Sequence, residues 1–397
     1  MWGLVWRYLW RSPRPIVRWL LRLSFVGLLL SAWAWIVVAS VFNGFSAFLE
    51  EVFSRADPDI RLVGRGLSNS LRTQIESLSE VEAVGGLYER VALLRYGSRQ
   101  AVVKFRLIDE AYARVTRLGS QMLVGEGFPL RQGAIFIGAG VAARLAFSAS
   151  EEEPLWIYVV PSGRQVALMG MEALLRRRAI VQGVFSVHKE YDESWVLARQ
   201  QDWPSLKGVF YDAIEIRLRE GVNVSIFLKS LQESLPPFVE AQDIRRQHEG
   251  IFRVLSQEKA LGRVGLTLLL LLTVSGVIST LSAFLLLGRR DWALYQALGA
   301  SPKWTRRLVG RMSAALLIGG SGSGLLLGTL TVLIQQEFQV VKLRGGEGLL
   351  IQHFPVKLLS EDYLWLFGLL ILVGGGLALY AYHHLEKVDL RSALQGD

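Results

Sequence analysis

The run Gly319-Gly320-Ser321-Gly322-Ser323-Gly324 has the composition of a loop that cradles phosphate, but no lysine follows it. Without that lysine the terminal phosphates of a nucleotide have no cation to reach, and no G-x-x-x-x-G-K-[ST] occurs elsewhere in the chain. The five histidines, His188, His248, His353, His383 and His384, show no metal-ligand spacing. His383 and His384 are neighbours that point to different faces, as anchors at a membrane boundary would. Glu151-Glu152-Glu153 reads as a solvated turn. The absence of Cys excludes a disulfide scaffold, thiolate metal ligation and a cysteine nucleophile. These residues predict a chain with no catalytic group, metal or cofactor of its own.

What remains is the chemistry of recognition. The stretch from Arg289 and Arg290 through Asp291, Trp292, Tyr295 and Leu298 reads as a short helix ended by Gly299, a residue suited to a left-handed cap. Ser301 then caps a second helix with Pro302 at its first position. Trp292, Tyr295 and Leu298 share a side that nothing in the chain is expected to cover. That side either lies on lipid or is a knob for a soluble partner. A second stretch, 161–178, joins two predicted strands yet is apolar and Met-rich: Leu168, Met169, Met171 and Leu174 lie between Arg164 and Arg176. It is either a surface for a partner or a lipid chain, or an ordinary helix with its apolar side packed on a domain.

The elements that carry these stretches follow from hydropathy. Of 397 residues, 51% are apolar and 20% charged, too oily for a soluble chain and too charged for one lying wholly in lipid. Uncharged stretches at 23–42, 264–288, 312–334 and 363–382 match the ~20 residues a helix needs to cross a hydrocarbon core. The first is too long for a signal-peptide core and lacks a clean small-x-small cleavage site. Residues 1–22 carry Arg7, Arg11, Arg14, Arg18 and Arg22 with no acid. The 289–311 loop carries six cations against Asp291. These two pieces account for the net charge of +9, so it reports orientation rather than nucleic-acid binding. Both pieces are predicted cytoplasmic, with 44–262 and 336–362 outside. The predicted order is an amphipathic segment 1–22, spans 23–43, 263–288, 312–335 and 363–383, the loop 289–311, and a tail 384–397. Gly320, Gly324 and Gly328 recur every four residues, a close-packing face for which Gly374-Gly375-Gly376 is the expected partner. No charge lies within the four uncharged stretches 23–42, 264–288, 312–334 and 363–382, which argues against an ion relay.

Between the first two spans the pattern is mixed. Strands are predicted at 60–63, 91–94, 101–107, 134–137, 155–160, 180–185, 195–197 and 213–218, and helices at 48–55, 71–78, 224–235 and 243–263. The fold class is a membrane α-helical protein of four transmembrane helices with a large α+β extracytoplasmic domain inserted between helices 1 and 2.

The 289–300 loop resembles the R-R-E-I-x-x-L-[RK]-x-L-G-A motif of FtsX-like, or MacB-type, ABC transporter permeases, with Asp291 for Glu and Gln296 for the basic residue. The runs Trp6–Ser12 and Ile36–Phe45 are similar to the start of lipoprotein-releasing permeases of the LolC/LolE type, where S-V-M-N-G-F closes the first span. Further segments at 133–145, 181–192 and 388–394 also resemble that family. The resemblance implies a dimeric subunit of the bacterial inner membrane, paired with a second copy or a paralogue and with two copies of a cytoplasmic ATPase that binds the ATP and Mg. It implies that Arg290, Asp291, Trp292, Tyr295, Leu298 and Gly299 form the coupling helix. It also implies that 161–177 is a periplasmic hook, with Arg164, Leu168, Met169, Met171 and Arg176 meeting a lipoprotein carrier. The implied function is extraction of lipoproteins from the membrane, driven by ATP hydrolysis elsewhere and passed on by mechanotransmission. Alternatives are a signal transmitter that activates a cell-wall hydrolase and a MacB-like exporter. Replacing Leu168, Met169 and Met171 by Ser is expected to abolish pull-down of the carrier while circular dichroism of the outside domain stays unchanged.

Overall fold

The computed structural model describes residues 14–147, 154–159, 175–288, 291–292, 294–295, 298–299, 301–342 and 353–384. The chain divides into two compact units, one of 1–48 with 253–397 and one of 49–252.

Four helices in the first unit are long and apolar enough to cross a membrane. They are α1 (Pro15–Ser54), α2 (Glu249–Leu287), α3 (Pro302–Phe338) and α4 (Ser360–His384). At 40 and 39 residues, α1 and α2 extend well past their predicted spans. At ~1.5 Å per residue each measures about 60 Å, twice a hydrocarbon core. Their common core holds Leu21, Leu28, Trp35, Val277, Phe284 and Leu316. Hydroxyls supplement it: Ser24 and Thr280 pair at 2.8 Å between α1 and α2.

The glycine face of α3 meets α1. A Cβ on Gly320 would stand 2.9 Å from the Leu28 Cβ, and one on Gly328 would stand 3.0 Å from the Ile36 Cβ. One on Gly324 would fall 2.2 Å from the Leu29 carbonyl oxygen. This corrects the expected partner. Gly374 faces Leu317 of α3 instead, and a Cβ on Gly375 or Gly376 would meet nothing within 4 Å. The periodicity marks a close-packing face, but sequence spacing cannot say which helix fills it.

The second unit is built on one sheet of ten strands. They are β1 (Ile60–Gly64), β2 (Val81–Tyr96), β3 (Arg99–Ile108), β4 (Met122–Gly125), β5 (Ala134–Gly138), β6 (Leu155–Val159), β7 (Leu175–Phe185), β8 (Trp195–Arg199), β9 (Ala213–Leu218) and β10 (Val239–Asp243). β2 pairs with β3, β6 and β9, because its sixteen residues are long enough to serve two layers. On one side of it lie β9, β1 and β10, against which the helices Asn69–Glu76 and Val224–Ser234 pack through Ile75, Phe227 and Leu231. On the other side six strands close a ring in the order β2, β3, β8, β5, β7, β6 and back to β2. Alternate residues fill the ring: Leu94, Val103, Phe105, Ile137, Ile157 and Val196. Closure leaves the ring without an open edge.

Three differences from the sequence reading have physical causes. β2 starts ten residues early, because its first part carries Glu82, Gly85 and Gly86 yet is still buried under neighbours. β4 and β10 are short edge strands whose few residues give no alternation. The helix predicted over 243–263 is interrupted at His248, between Ile244–Gln247 and Glu249, rather than at its glycines.

Arg106 of β3 and Glu215 of β9 are buried together in this unit, with Arg106 Nη2 donating to Glu215 Oε1 at 2.5 Å. The Trp195 ring lies 3.9 Å from the guanidinium carbon. Burial alone would lower the arginine pKa, but Glu215, then Tyr112 and Glu89, hold it above its ordinary value. Arg106 therefore stays charged, and removing Glu215 leaves it uncompensated. Gly324→Val is expected to lower the thermal midpoint of the detergent-purified chain, by about 1–3 kcal/mol in stability, because no rotamer relieves contact with a backbone oxygen. Glu215→Ala is expected to cost more, about 3–5 kcal/mol in a denaturant titration.

Candidate functional site

The loop between α2 and α3 begins with a turn at Gly288, where a Cβ would stand 2.4 Å from the Trp292 indole nitrogen. That closeness lets Trp292 fold back on α2. Its Nε1 donates to the Leu285 carbonyl at 3.2 Å, and its ring meets Phe284 edge-on at 5.1 Å. Tyr295 continues the pile, 6.2 Å from Trp292 and 5.5 Å from Trp304 of α3. Trp292 is therefore 2% exposed. The expectation that nothing in the chain covers Trp292, Tyr295 and Leu298 fails for the two aromatic residues. Only Leu298, 76% exposed, matches it, and Leu294, 60% exposed, stands beside it. The reason is that aromatic residues on both flanking helices give the two rings an apolar place to bury.

Asp291 accepts from Arg14 Nη2 at 2.9 Å, so the start of α1 is tied to this loop. Gly299 has φ of 96°, the left-handed conformation its role as a helix end requires. Ser301 occupies the cap position of α3, but its side chain makes no capping bond. Arg290 lies outside the described residues, as do Arg164, Leu168, Met169 and Met171.

Arg176 is described. β6 and β7 pair antiparallel from Leu155 with Ala179 to Val159 with Leu175, so 160–174 connects two adjacent strands. The Arg176 guanidinium lies 3.8 Å from the Trp156 ring centroid and 5.8 Å from that of Tyr158. Stacking fixes this cation at the base of the connection.

Part-way along α2, at Lys259 and Arg263, lies a polar cluster that sequence spacing does not assemble. Asp362, at the start of α4, is 3% exposed. Its carboxylate accepts from Asn43 Nδ2 of α1 at 2.6 Å and from Arg263 Nη2 of α2 at 2.9 Å. Its backbone carbonyl accepts from Trp35 Nε1 at 3.3 Å. Lys259 Nζ donates to Asn43 Oδ1 at 2.5 Å, and Lys357 N donates to the Ser40 carbonyl at 2.9 Å. Gly44 permits contact with the chain before α4, since a Cβ there would stand 2.2 Å from the Pro355 carbonyl oxygen. Ser40, Asn43 and Gly44 thus all take part, with Asn43 bonded to both Asp362 and Lys259. The available signal was the acidic pair Glu361-Asp362 directly before the last span, with Lys259 and Arg263 one helical turn apart before the second.

Residues 263–389 match the model of the FtsX-like permease C-terminal family. No curated protein matches the chain. Among solved structures, the chain is similar to the periplasmic region of MacB from Actinobacillus actinomycetemcomitans, at 14% identity and a TM-score of 0.36, over 50% of this chain and 95% of that one. It is also similar to the extracellular domain of the noncanonic ABC-type transporter YknZ from Gram-positive bacteria, at 11% identity and a TM-score of 0.33, over 46% of this chain and 99% of that one.

The matched segment begins within α2 and takes in the loop with Trp292 and Leu298, α3 and α4. Both of its anchors come from outside the matched residues: Arg14, just before α1, at the loop, and Trp35 with Asn43 of α1 at Asp362.

The second unit has its own anchor where α1 ends. The Tyr191 hydroxyl donates to Asp57 Oδ2 at 2.5 Å, and His248 Nε2 lies 2.7 Å from the same oxygen. The Phe53 ring stacks on His248 at 3.7 Å. Burial, then the Asp57 charge, pushes the Tyr191 phenol far above its ordinary pKa, so it remains a donor. The break at His248 puts this imidazole against Asp57. Asp362→Ala is expected to destabilise the first unit by about 3 kcal/mol, the lower end for a buried pair because Arg263 stays partly exposed. Differential scanning fluorimetry in detergent measures it.

Proposed function

We propose that the chain is the membrane subunit of an ABC transporter and draws its energy from a separate cytoplasmic ATPase. The observation that carries this reading is the pair Leu294 and Leu298, which stand exposed on a loop where Trp292 is buried and Tyr295 half-buried. Trp292 and Tyr295 fix the position of that loop, and the leucines enter an apolar groove of the ATPase. Arg290 and Asp291 add charge at the edge of the contact, although Asp291 is already engaged by Arg14. ATP and Mg bind in the partner chain.

In this reading two copies of the permease, or one with a paralogue, face each other in the bacterial inner membrane. Both termini lie in the cytoplasm and the 49–252 unit in the periplasm. Closure of the ATPase dimer moves the loops and tilts the spans. The motion passes along α1 and α2, neither of which has an interruption at its unit boundary. The work done is extraction of a lipoprotein from the outer leaflet of that membrane and its transfer to a periplasmic carrier. The apolar composition of 161–175 and the stacked Arg176 support a carrier contact at the β6–β7 connection. That connection favours extraction over activation of a hydrolase, which requires no capture of a soluble acceptor.

Leu298→Asp is expected to eliminate co-purification of the ATPase while the permease still inserts. Trp292→Ala is expected to weaken association indirectly, with a loss of about 3–5 kcal/mol in stability that Leu298→Asp does not share. Undiminished co-purification with Leu298→Asp removes the coupling role.

A further inference from the structure

The 49–252 unit contains a cleft of about 390 Å³ between the end of β9, the start of β2 and the short helices around Arg114 and Arg117. Its wall is fixed by Arg217, which is 5% exposed. The three nitrogens of that guanidinium donate to the Val115 carbonyl at 2.8 Å, to Asp59 Oδ1 at 2.7 Å and to the Asp57 carbonyl at 2.9 Å. Leu218 N donates to the other Asp59 oxygen at 2.8 Å. Arg217 and Asp59 therefore satisfy each other and leave no charge for a ligand.

Five other charged side chains line the same cleft: Arg114, Arg117, Arg219, Glu82 and Glu220. Arg219 donates through Nε to the Val81 carbonyl at 3.2 Å. Among the described residues, none of the five forms an ion pair, although three are cations and two are anions. Charges of opposite sign around one cavity normally close on each other when their side chains can reach. Glu82 sits at a register shift of the β2–β9 ladder, between Val81 and Ala83. Val222 and Val224 complete the rim with apolar surface.

We propose that this cleft binds a phosphoethanolamine group. The phosphate takes charge-assisted bonds from Arg114, Arg117 and Arg219, whose forked donors suit phosphate oxygens. The ammonium, an ethylene spacer away, goes to Glu82 and Glu220. A simple anion leaves the two carboxylates facing its charge, and a simple cation leaves the three guanidinium groups doing so. A zwitterion satisfies both. The group is available as the headgroup of a membrane lipid or as the free soluble compound. The site requires no ATPase and stands apart from the transport reading.

The test uses the full chain in detergent without ATPase, titrated by calorimetry with phosphoethanolamine and, separately, inorganic phosphate. Phosphoethanolamine is expected to bind saturably and about tenfold more tightly than phosphate, the equivalent of one ammonium contact. Arg117→Gln is expected to weaken both ligands about tenfold, with Arg117→Lys recovering part of the loss. Glu82→Gln is expected to erase the preference while leaving phosphate binding at least as tight. These side chains are exposed or half-exposed, so unchanged melting of each variant confirms folding. Native mass spectrometry of the delipidated chain with phosphatidylethanolamine or phosphatidylcholine identifies the source. Adducts specific to the first and lost in Arg117→Gln assign a lipid headgroup, and their absence alongside calorimetric binding assigns the soluble compound. No saturable heat, or affinities that Arg117→Gln and Glu82→Gln leave unchanged, overturns the proposal.

Discussion

The Asp362 carboxylate is buried where α4 begins, and a charge taken out of water at that depth must be paired. Arg263 pairs it from α2, and Asn43 donates to it from α1. Trp35 lies two turns back along α1 and reaches the Asp362 carbonyl, so α1 turns one face to this site. Lys259, one turn from Arg263, closes the circuit through Asn43. Apolar helix contacts tolerate sliding, because one methyl group replaces another at little cost. A directed set of hydrogen bonds does not, so this cluster sets the register of three long helices.

The far end of α2 is held by a different kind of interaction. Phe284, Trp292, Tyr295 and Trp304 stack through the turn at Gly288, and their burial leaves Leu294 and Leu298 outside. The aromatic residues make the platform and the aliphatic ones make the contact surface. Between the two ends, the glycines of α3 bring its backbone against α1, where a single added methyl group at Gly324 has no room. The membrane unit thus has separate devices for register, for closeness and for presentation.

The 49–252 unit solves its burial problem by closing six strands on themselves and packing helices on the rest of the sheet. Its polar interior is concentrated at a few sites. Arg106 with Glu215, Arg217 with Asp59, and Tyr191 with His248 and Asp57 join residues from distant parts of the chain. Each site is a strong specification of the fold, since a near miss leaves an unpaired buried group.

Hydropathy and the distribution of arginines determined four long helices, an inserted mixed domain and the loop that joins α2 to α3, because a span must be apolar throughout its length and the bilayer fixes that length. Local chemistry likewise set Gly299 as a helix end. The sequence did not determine that Trp292 turns inward, that the Gly320 face meets α1, or that β2 joins two layers. Each of these depends on a partner remote in the chain, and spacing within one element specifies a face without specifying what fills it. Asp362 belongs to the same class: as a letter it is one acid in a charged loop, and only the tertiary structure brings Asn43 and Arg263 to it.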